Sequence, residues 1–340
     1  MIRVGTRASA LARTQSQLVA DALSESLGEP AELVLVSTHG DRSGDSLREL
    51  ARSTSGTGVF VSALREALLA GEVDVAVHSL KDLPTAPAPG IELAAVPERD
   101  DPRDALVAVG GVGLADLPDG ARIGTGSPRR AAMLLADAAR RGRRLEVVDV
   151  RGNVDTRLAR VGTDLDAVVL AMAGLRRLGR DGEVSEVLGV DVMLPCPGQG
   201  ALAVETRTGD ALTGRVAAAL DHADTRAAVT AERSLLRVLD VGCSAPVGAW
   251  ARVTGGTLEL RAAVAEHDPA LLRPGSTGGP HDGGAPLSAG VVDGADGVPR
   301  LLLSRTTGGV ADAAGLGARA GHELLKARPG HGTQTEEILR

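Results

Sequence analysis

The chain has 340 residues, room for two or three domains, and its 43% hydrophobic and 24% charged content is that of a globular protein. No apolar run reaches the roughly 18–20 residues that cross a bilayer, and the MIRVGTRAS start lacks a secretory layout, so a cytoplasmic protein away from membranes is expected. A net charge of −7, no Tyr, one Phe and one Trp exclude whole-molecule attraction to nucleic acid and rows of base-stacking side chains.

Residues 2–4 form a short strand, and Ser9 can cap a helix running to about residue 26 with Leu11, Leu18, Ala22 and Leu23 among its apolar positions. Residues 33–37 read as a strand buried on both faces. The polar loop THGDRSGDS follows, then a helix over about 59–70 that ends at Gly71, then a strand at 73–77. This alternation is the rhythm of a doubly wound α/β sheet.

The rhythm resumes after the turn PERDDPRD (97–104). Strands are expected at 105–109 and around Ile123, with a helix opened by Ser127 and Pro128 and closed near Gly142. A strand at 145–150, a short helix near 154–160 and a strand at 166–172 complete a second α/β unit. PCPGQG (195–200) breaks the pattern before a strand at 201–205. Helices at about 211–219 and 225–239, strands at 247–253, 258–264 and 301–304, and a helix at 311–326 suggest a smaller α+β unit. Residues 273–299 are rich in Gly, Pro and Asp, a loop composition.

Charge is uneven along this chain. Between Arg122 and Arg160 stand ten arginines and no lysine, against the four acids Asp137, Glu146, Asp149 and Asp155. Arginine binds carboxylate or phosphate through a planar fork, so a small polyanion can be held here; for Arg140, Arg141, Arg143 and Arg144 a solvated face is the plainer reading. Lys81 and Lys326 are the only lysines, which hints that position 81 needs a compact ammonium.

HSLKDLP (78–84) follows an apolar strand, where open α/β sheets place reacting groups. Asp82 is a general base, a general acid or the counter-charge of a cation, unless it merely caps a turn; His78 reads as a packed, satisfied residue. GTGSPRR (124–130) puts glycines before a helix start with Arg129 and Arg130 beside them, and RGNVDTR (151–157) repeats the logic with Asn153 as cap between Arg151 and Arg157. Two such turns on one sheet edge suit a ligand with several negative charges. Cys243, in DVGCSAPVG, is a nucleophile or a small apolar filler; Cys196, between prolines, reads as structural. Two cysteines make no disulfide framework, and no metal motif is present.

Taken in order, GTRAS, HSLKDLP, RDDPRDAL, GTGSPRR, RGNVDTRL, LAMAGLRRLG, PGQGALAVE and TAERSLLRVLDVGCSAPVG resemble the porphobilinogen deaminase (hydroxymethylbilane synthase) family to about residue 265. The resemblance implies two periplasmic-binding-protein-like α/β domains with a cleft and a smaller α+β domain: residues 1–97 with 199–219, residues 98–198, and residues 220–340. It implies a dipyrromethane cofactor joined by a thioether to Cys243. It implies that porphobilinogen loses ammonia, that the free α-carbon of the terminal ring attacks the resulting methylenepyrrolenine, and that water releases a linear tetrapyrrole after four additions. Asp82 then steadies pyrrole N–H groups and the developing positive charge. Lys81, Arg7, Ser9, Ser127, Arg129, Arg130, Arg151, Arg157, Arg177 and Gln199 bind or position cofactor and substrate carboxylates, and Phe60 matches the aromatic of the active-site loop. A monomer whose product passes to uroporphyrinogen-III synthase is further implied.

The chain departs from the family in ARSTSGTGVF (51–60), where Arg52 stands near one loop-lysine position and Thr57 at another, so one loop cation is missing. Residues 273–299 look like an insertion. The rivals are a non-catalytic two-lobed carboxylate-binding protein and a nucleotide-dependent transferase; the latter should carry a phosphate loop, which the chain lacks.

Overall fold

The computed structural model describes residues 1–36, 57–241, 245–266 and 299–327, with backbone alone at 57–60 and 266. In chain order the elements are β1 (Ile2–Thr6), α1 (Ala10–Leu27), β2 (Ala31–Leu35), α2 (Thr57–Leu69), β3 (Val75–Ser79), β4 (Ile91–Ala95), β5 (Asp104–Ala108), β6 (Ala121–Gly124), α3 (Pro128–Arg140), β7 (Leu145–Val148), α4 (Val154–Leu158), β8 (Ala167–Ala171), α5 (Met172–Arg177) and β9 (Glu186–Val187). There follow β10 (Leu202–Arg207), α6 (Ala211–Leu220), α7 (Ala223–Leu239), β11 (Val247–Thr254), β12 (Thr257–Glu266), β13 (Arg300–Gly309) and α8 (Ala313–Lys326).

Two five-stranded sheets, ordered β2-β1-β3-β10-β4 and β7-β6-β8-β5-β9, stand beside a three-stranded antiparallel sheet β11-β12-β13. Each large sheet has three parallel strands, β2, β1 and β3 or β7, β6 and β8. An antiparallel strand is then added, β10 on β3 (Leu202 opposite Ser79) and β5 on β8 (Asp104 opposite Ala171). The chain thus leaves the first sheet after β4, builds the second, and returns through PCPGQG to complete the first.

The helix starts follow from local chemistry. Ser9 accepts from Ala12 N to open α1, Ser127 caps α3 with Pro128 in its first turn, and Asn153 Oδ1 accepts from Thr156 N at 2.8 Å to open α4. Gly28 takes the left-handed conformation that closes α1. The expectation that β2 is buried on both faces is corrected: β2 is an edge strand, and Leu35 is 59% exposed. An edge strand has a partner on one side only, and its half-exposed pattern follows from that position.

Apolar side chains fill both faces of the large sheets, with Val19, Leu23 and Val216 from α1 and α6 on one face of the first and Leu64 and Leu68 from α2 on the other. The small sheet packs one face on α7 and α8, while Ala263, Trp250 and Leu301 join the core of the second sheet. No described helix is long and apolar enough to cross a membrane.

Candidate active site

In an open α/β sheet the chain turns from strand to helix at the carboxyl edge, so side chains in those turns converge there. Ten of the residues singled out from the sequence lie in such turns or the helices they open: Arg7 and Ser9 after β1, Lys81 and Asp82 after β3, Ser127, Arg129 and Arg130 after β6, Arg151 and Arg157 after β7, and Arg177 in α5 after β8; Gln199 lies instead in PCPGQG, ahead of β10. Between the edges of the two large sheets opens a cavity of about 370 Å³. Ser9, Lys81, Asp82, Arg130, Arg157 and Arg177 line it, and so do Gln15, Asn153 and Asp155, which sequence reasoning had not assigned to a ligand.

Lys81 and Asp82 share a single 3-10 turn (Leu80–Asp82), pinned by the buried Leu80, whose N–H donates to Ala201 O at 3.0 Å. Gly198 has φ +76 and a Cβ there would lie 3.2 Å from Lys81 N, so the PCPGQG loop seats against this turn only as glycine. Among the described residues neither the Lys81 nor the Asp82 side chain has a hydrogen-bond partner, which leaves both for a ligand. Burial pushes the Lys81 ammonium below the usual lysine range; Asp82 opposes this and the Arg130 charge adds to it.

Arg129 and Arg130 sit differently from each other. Arg129 is 3% exposed and off the cavity wall, donating to Asp104 Oδ2 at 2.7 Å and to Leu194 O at 2.5 Å. Arg130 lines the cavity while its Nε and Nη2 donate to Asp104 Oδ1 at 3.0 and 2.7 Å and its Nη1 to Val169 O at 3.0 Å. Gln199 Nε2 completes the cluster, donating to Asp104 Oδ1 at 2.8 Å and to Pro102 O at 2.7 Å. Burial alone would raise the Asp104 pKa; the two guanidinium charges and their hydrogen bonds overturn that and hold it far below the usual carboxylate range. Asp104, missed from the sequence, therefore braces the cationic wall. Its signal was an acid heading an otherwise apolar strand, DALVA.

Arg157 Nε donates to Gly152 O at 2.9 Å, and Arg177 Nη2 to Gly200 O at 2.6 Å; burial lowers the pKa of both. Arg151 is exposed beside Asp149 (3.1 Å), Ser127 serves as the α3 cap, and Arg7 is half-buried past β1, all three off the cavity lining. His78 is buried with Nε2 3.2 Å from Glu205 Oε2, a packed residue as read. Cys196 is half-buried and burial pushes its thiol up, away from a reactive thiolate. Cys243, Arg52, the THGDRSGDS loop, positions 273–298 and the side chains of Thr57 and Phe60 lie outside the described residues.

The lining carries four cations, Lys81, Arg130, Arg157 and Arg177, against two acids, Asp82 and Asp155. A surplus of positive charge in an acidic protein suits a ligand with several carboxylates, and the donors fit a dipyrromethane with its acetate and propionate arms. Among the described residues no group of His, Cys, Asp and Glu could hold a metal.

The family model described as "Porphobilinogen deaminase, dipyromethane cofactor binding domain" matches residues 2–215, and "Porphobilinogen deaminase, C-terminal domain" matches residues 226–274. Porphobilinogen deaminase 1 of Streptomyces coelicolor is 55% identical over 285 residues, 82% of this chain and 88% of that protein. Porphobilinogen deaminase of Thermobifida fusca is 58% identical over 270 residues, 78% of this chain and 82% of that one. Among solved structures, an ABC-transporter periplasmic substrate-binding protein from Coxiella burnetii is similar over 64% of this chain and 91% of its own, with a TM-score of 0.40 and 16% identity. The cofactor-binding match alone spans more than half of the sequence, and together with relatives of this identity it makes the chain a member of the porphobilinogen deaminase family.

Proposed function

We propose that the cavity between the two sheet edges is where this enzyme works and that Asp82 is its catalytic residue. The chain is a transferase of tetrapyrrole synthesis: it condenses four porphobilinogen units head to tail with loss of ammonia and releases linear hydroxymethylbilane. Cys243 would hold the dipyrromethane, which when bound would supply the free α-carbon on which the units are added. The observation that carries the site reading is the 3-10 turn that presents Lys81 and Asp82, unpartnered among the described residues, to a wall with surplus cations.

Asp82 stabilises the pyrrole N–H groups and the positive charge that grows on the substrate as ammonia leaves, an interaction strongest at the transition state. Lys81, Arg130, Arg157 and Arg177 hold carboxylate arms and orient the reacting ring. Arginine suits this because it keeps its charge even where burial depresses its pKa. Arg129 and Gln199 act one step back, on Asp104 and through it on Arg130. Ser9, Arg7, Arg151 and Phe60 serve substrate carboxylates or the closing of the site, and Ser127 sets the start of α3. The same reading divides the chain into 1–97 with 199–219, 98–198 and 220–340, and makes it a cytoplasmic monomer that hands its product to uroporphyrinogen-III synthase.

The test is Asp82→Asn and Asp82→Ala, assayed for porphobilinogen consumption beside intact mass of the unsubstituted enzyme. Turnover should fall by about 10²–10³ or more with far-UV circular dichroism unchanged, since a charge aimed at the transition state is lost. The unsubstituted enzyme should carry a dipyrromethane mass on Cys243. Near-normal turnover in either variant removes Asp82 from the mechanism, and an unmodified mass in active enzyme removes Cys243.

A further inference from the structure

We propose that Arg233, on α7, is a positioning residue that sets Asp82 through the backbone immediately after it; the inference rests on the reading of Asp82 given above. Arg233 Nη1 donates to Leu83 O at 3.1 Å and its Nη2 to Pro84 O at 2.6 Å. Arg237, four residues on and so on the same helix face, donates its Nη2 to Thr85 O at 2.9 Å. Three consecutive carbonyls following Asp82 are thus gripped by two guanidinium groups of one helix.

Packing repeats the pattern. Val229, four residues before Arg233, is buried in a small apolar cluster with Leu80, Leu83 and Ala201, so both side chains flanking Lys81 and Asp82 join a core to which α7 contributes. The segment LPTAPAP needs such help. Its three prolines lack N–H groups, and among the described residues no backbone N–H donates to the carbonyls of Leu83, Pro84 and Thr85, which are left to water or to side-chain donors from elsewhere. A planar guanidinium can serve two adjacent carbonyls at once; an ammonium, as a point donor on a flexible stem, holds them less firmly.

The placement of α7 gives this contact a function beyond stability. α7 packs with α8 and β11, and it ends at Leu239, shortly before Cys243 in the sequence. One helix therefore registers the aspartate's turn against the unit whose sequence carries the cofactor cysteine. A carboxylate that matters only as charge develops must be placed within a fraction of an ångström, and a displacement of about 1 Å can cost about 10²-fold in rate. Binding of carboxylate arms depends on other residues, so the effect belongs in kcat.

The experiment uses full-length, cofactor-loaded enzyme with Arg233→Gln, Arg233→Lys, Arg237→Gln and Asp82→Asn. Steady-state porphobilinogen kinetics are normalised to the loaded fraction from intact mass, and Tm is recorded beside them. Arg233→Gln should lower kcat per loaded enzyme by about ten- to hundredfold with KM within about twofold. Arg233→Lys should recover part of that loss, and Arg237→Gln should lower kcat less. A merely structural role would lower Tm and leave kcat per loaded molecule unchanged. Wild-type kcat in Arg233→Gln beside an inactive Asp82→Asn overturns this inference and leaves the Asp82 reading standing. An active Asp82→Asn overturns both, since Arg233 then has nothing to position. Should Arg233→Gln fail to fold, unaltered kcat in both Arg233→Lys and Arg237→Gln overturns the proposal.

Discussion

Burial by itself would push the Glu205 carboxyl up, for its side chain lies inside the first sheet beneath α2. His78 Nε2 at 3.2 Å and two hydrogen bonds from Arg65 at 3.0 and 2.6 Å reverse that and hold the pKa at about 2, against an ordinary 4.5. The folded protein binds its proton less readily than the unfolded chain. The stabilisation is therefore complete above about pH 4.5 and is lost as pH falls toward 2. A shift of that size is worth about 3 kcal/mol. Urea unfolding of wild-type protein should weaken steeply from pH 5 to pH 3, and Glu205→Gln should be less stable at pH 7 with a shallower slope across that window. Equal slopes would mean that the three groups do not act as a unit. The sequence reading of His78 as packed agrees with its burial, but not as satisfied: its Nε2 lies 3.2 Å from Glu205 Oε2 without forming a hydrogen bond, and that neighbour was hidden. Residues 78 and 205 meet only because β10 returns to lie against β3, and no local pattern announces that pairing.

Where local chemistry decides, the elements were legible. Ser9, Ser127 and Asn153 each open a helix as side-chain caps, and the strands expected from hydrophobic runs fall within a few residues of them, whereas β4 and the two-residue β9 were not expected. Less visible was how near two helices come, because that depends on which glycine faces which neighbour. Gly317 and Gly321 of α8 face α7: a Cβ on Gly317 would lie 2.1 Å from Ala231 O, and one on Gly321 would lie 2.8 Å from Val238. Backbone oxygen cannot rotate aside, so Gly317→Ala must push the helices apart, at a cost of about 1–3 kcal/mol. Gly214 in α6 has open space around its Cβ direction and ordinary helical backbone, so Gly214→Ala should add about 0.5–1 kcal/mol instead. Thermal unfolding of the two variants side by side checks the pair. The same substitution should move Tm in opposite directions, and a loss in both would mean that α6 is not the regular helix described.

Across the whole molecule the sequence conveyed the alternation of strands and helices but not the antiparallel places of β5 and β10, which are fixed where the chain crosses between the large sheets. Those crossings meet at Glu232, a fully buried carboxylate on α7. Arg99, from the first crossing, donates to it through Nη1 at 2.7 Å and Nη2 at 3.0 Å, and through Nε to Gln199 O at 2.8 Å. Gly198 N, from the second crossing, donates at 2.7 Å, and Ala251 N of β11 at 2.8 Å. One side chain therefore bonds both crossings and the small sheet, which ties the placement of the three sheets to a single charge. Glu232→Gln should cost about 3–5 kcal/mol, because it leaves the Arg99 guanidinium buried without its counter-ion. Replacing both partners by leucine should cost less than the sum of the two single leucine replacements by about 1–3 kcal/mol, since the double variant strands no charge. Urea unfolding of the four proteins in that cycle gives the coupling directly. A coupling near zero would mean that apolar packing alone joins the units, and the crossings would then be free to bend without disturbing α7.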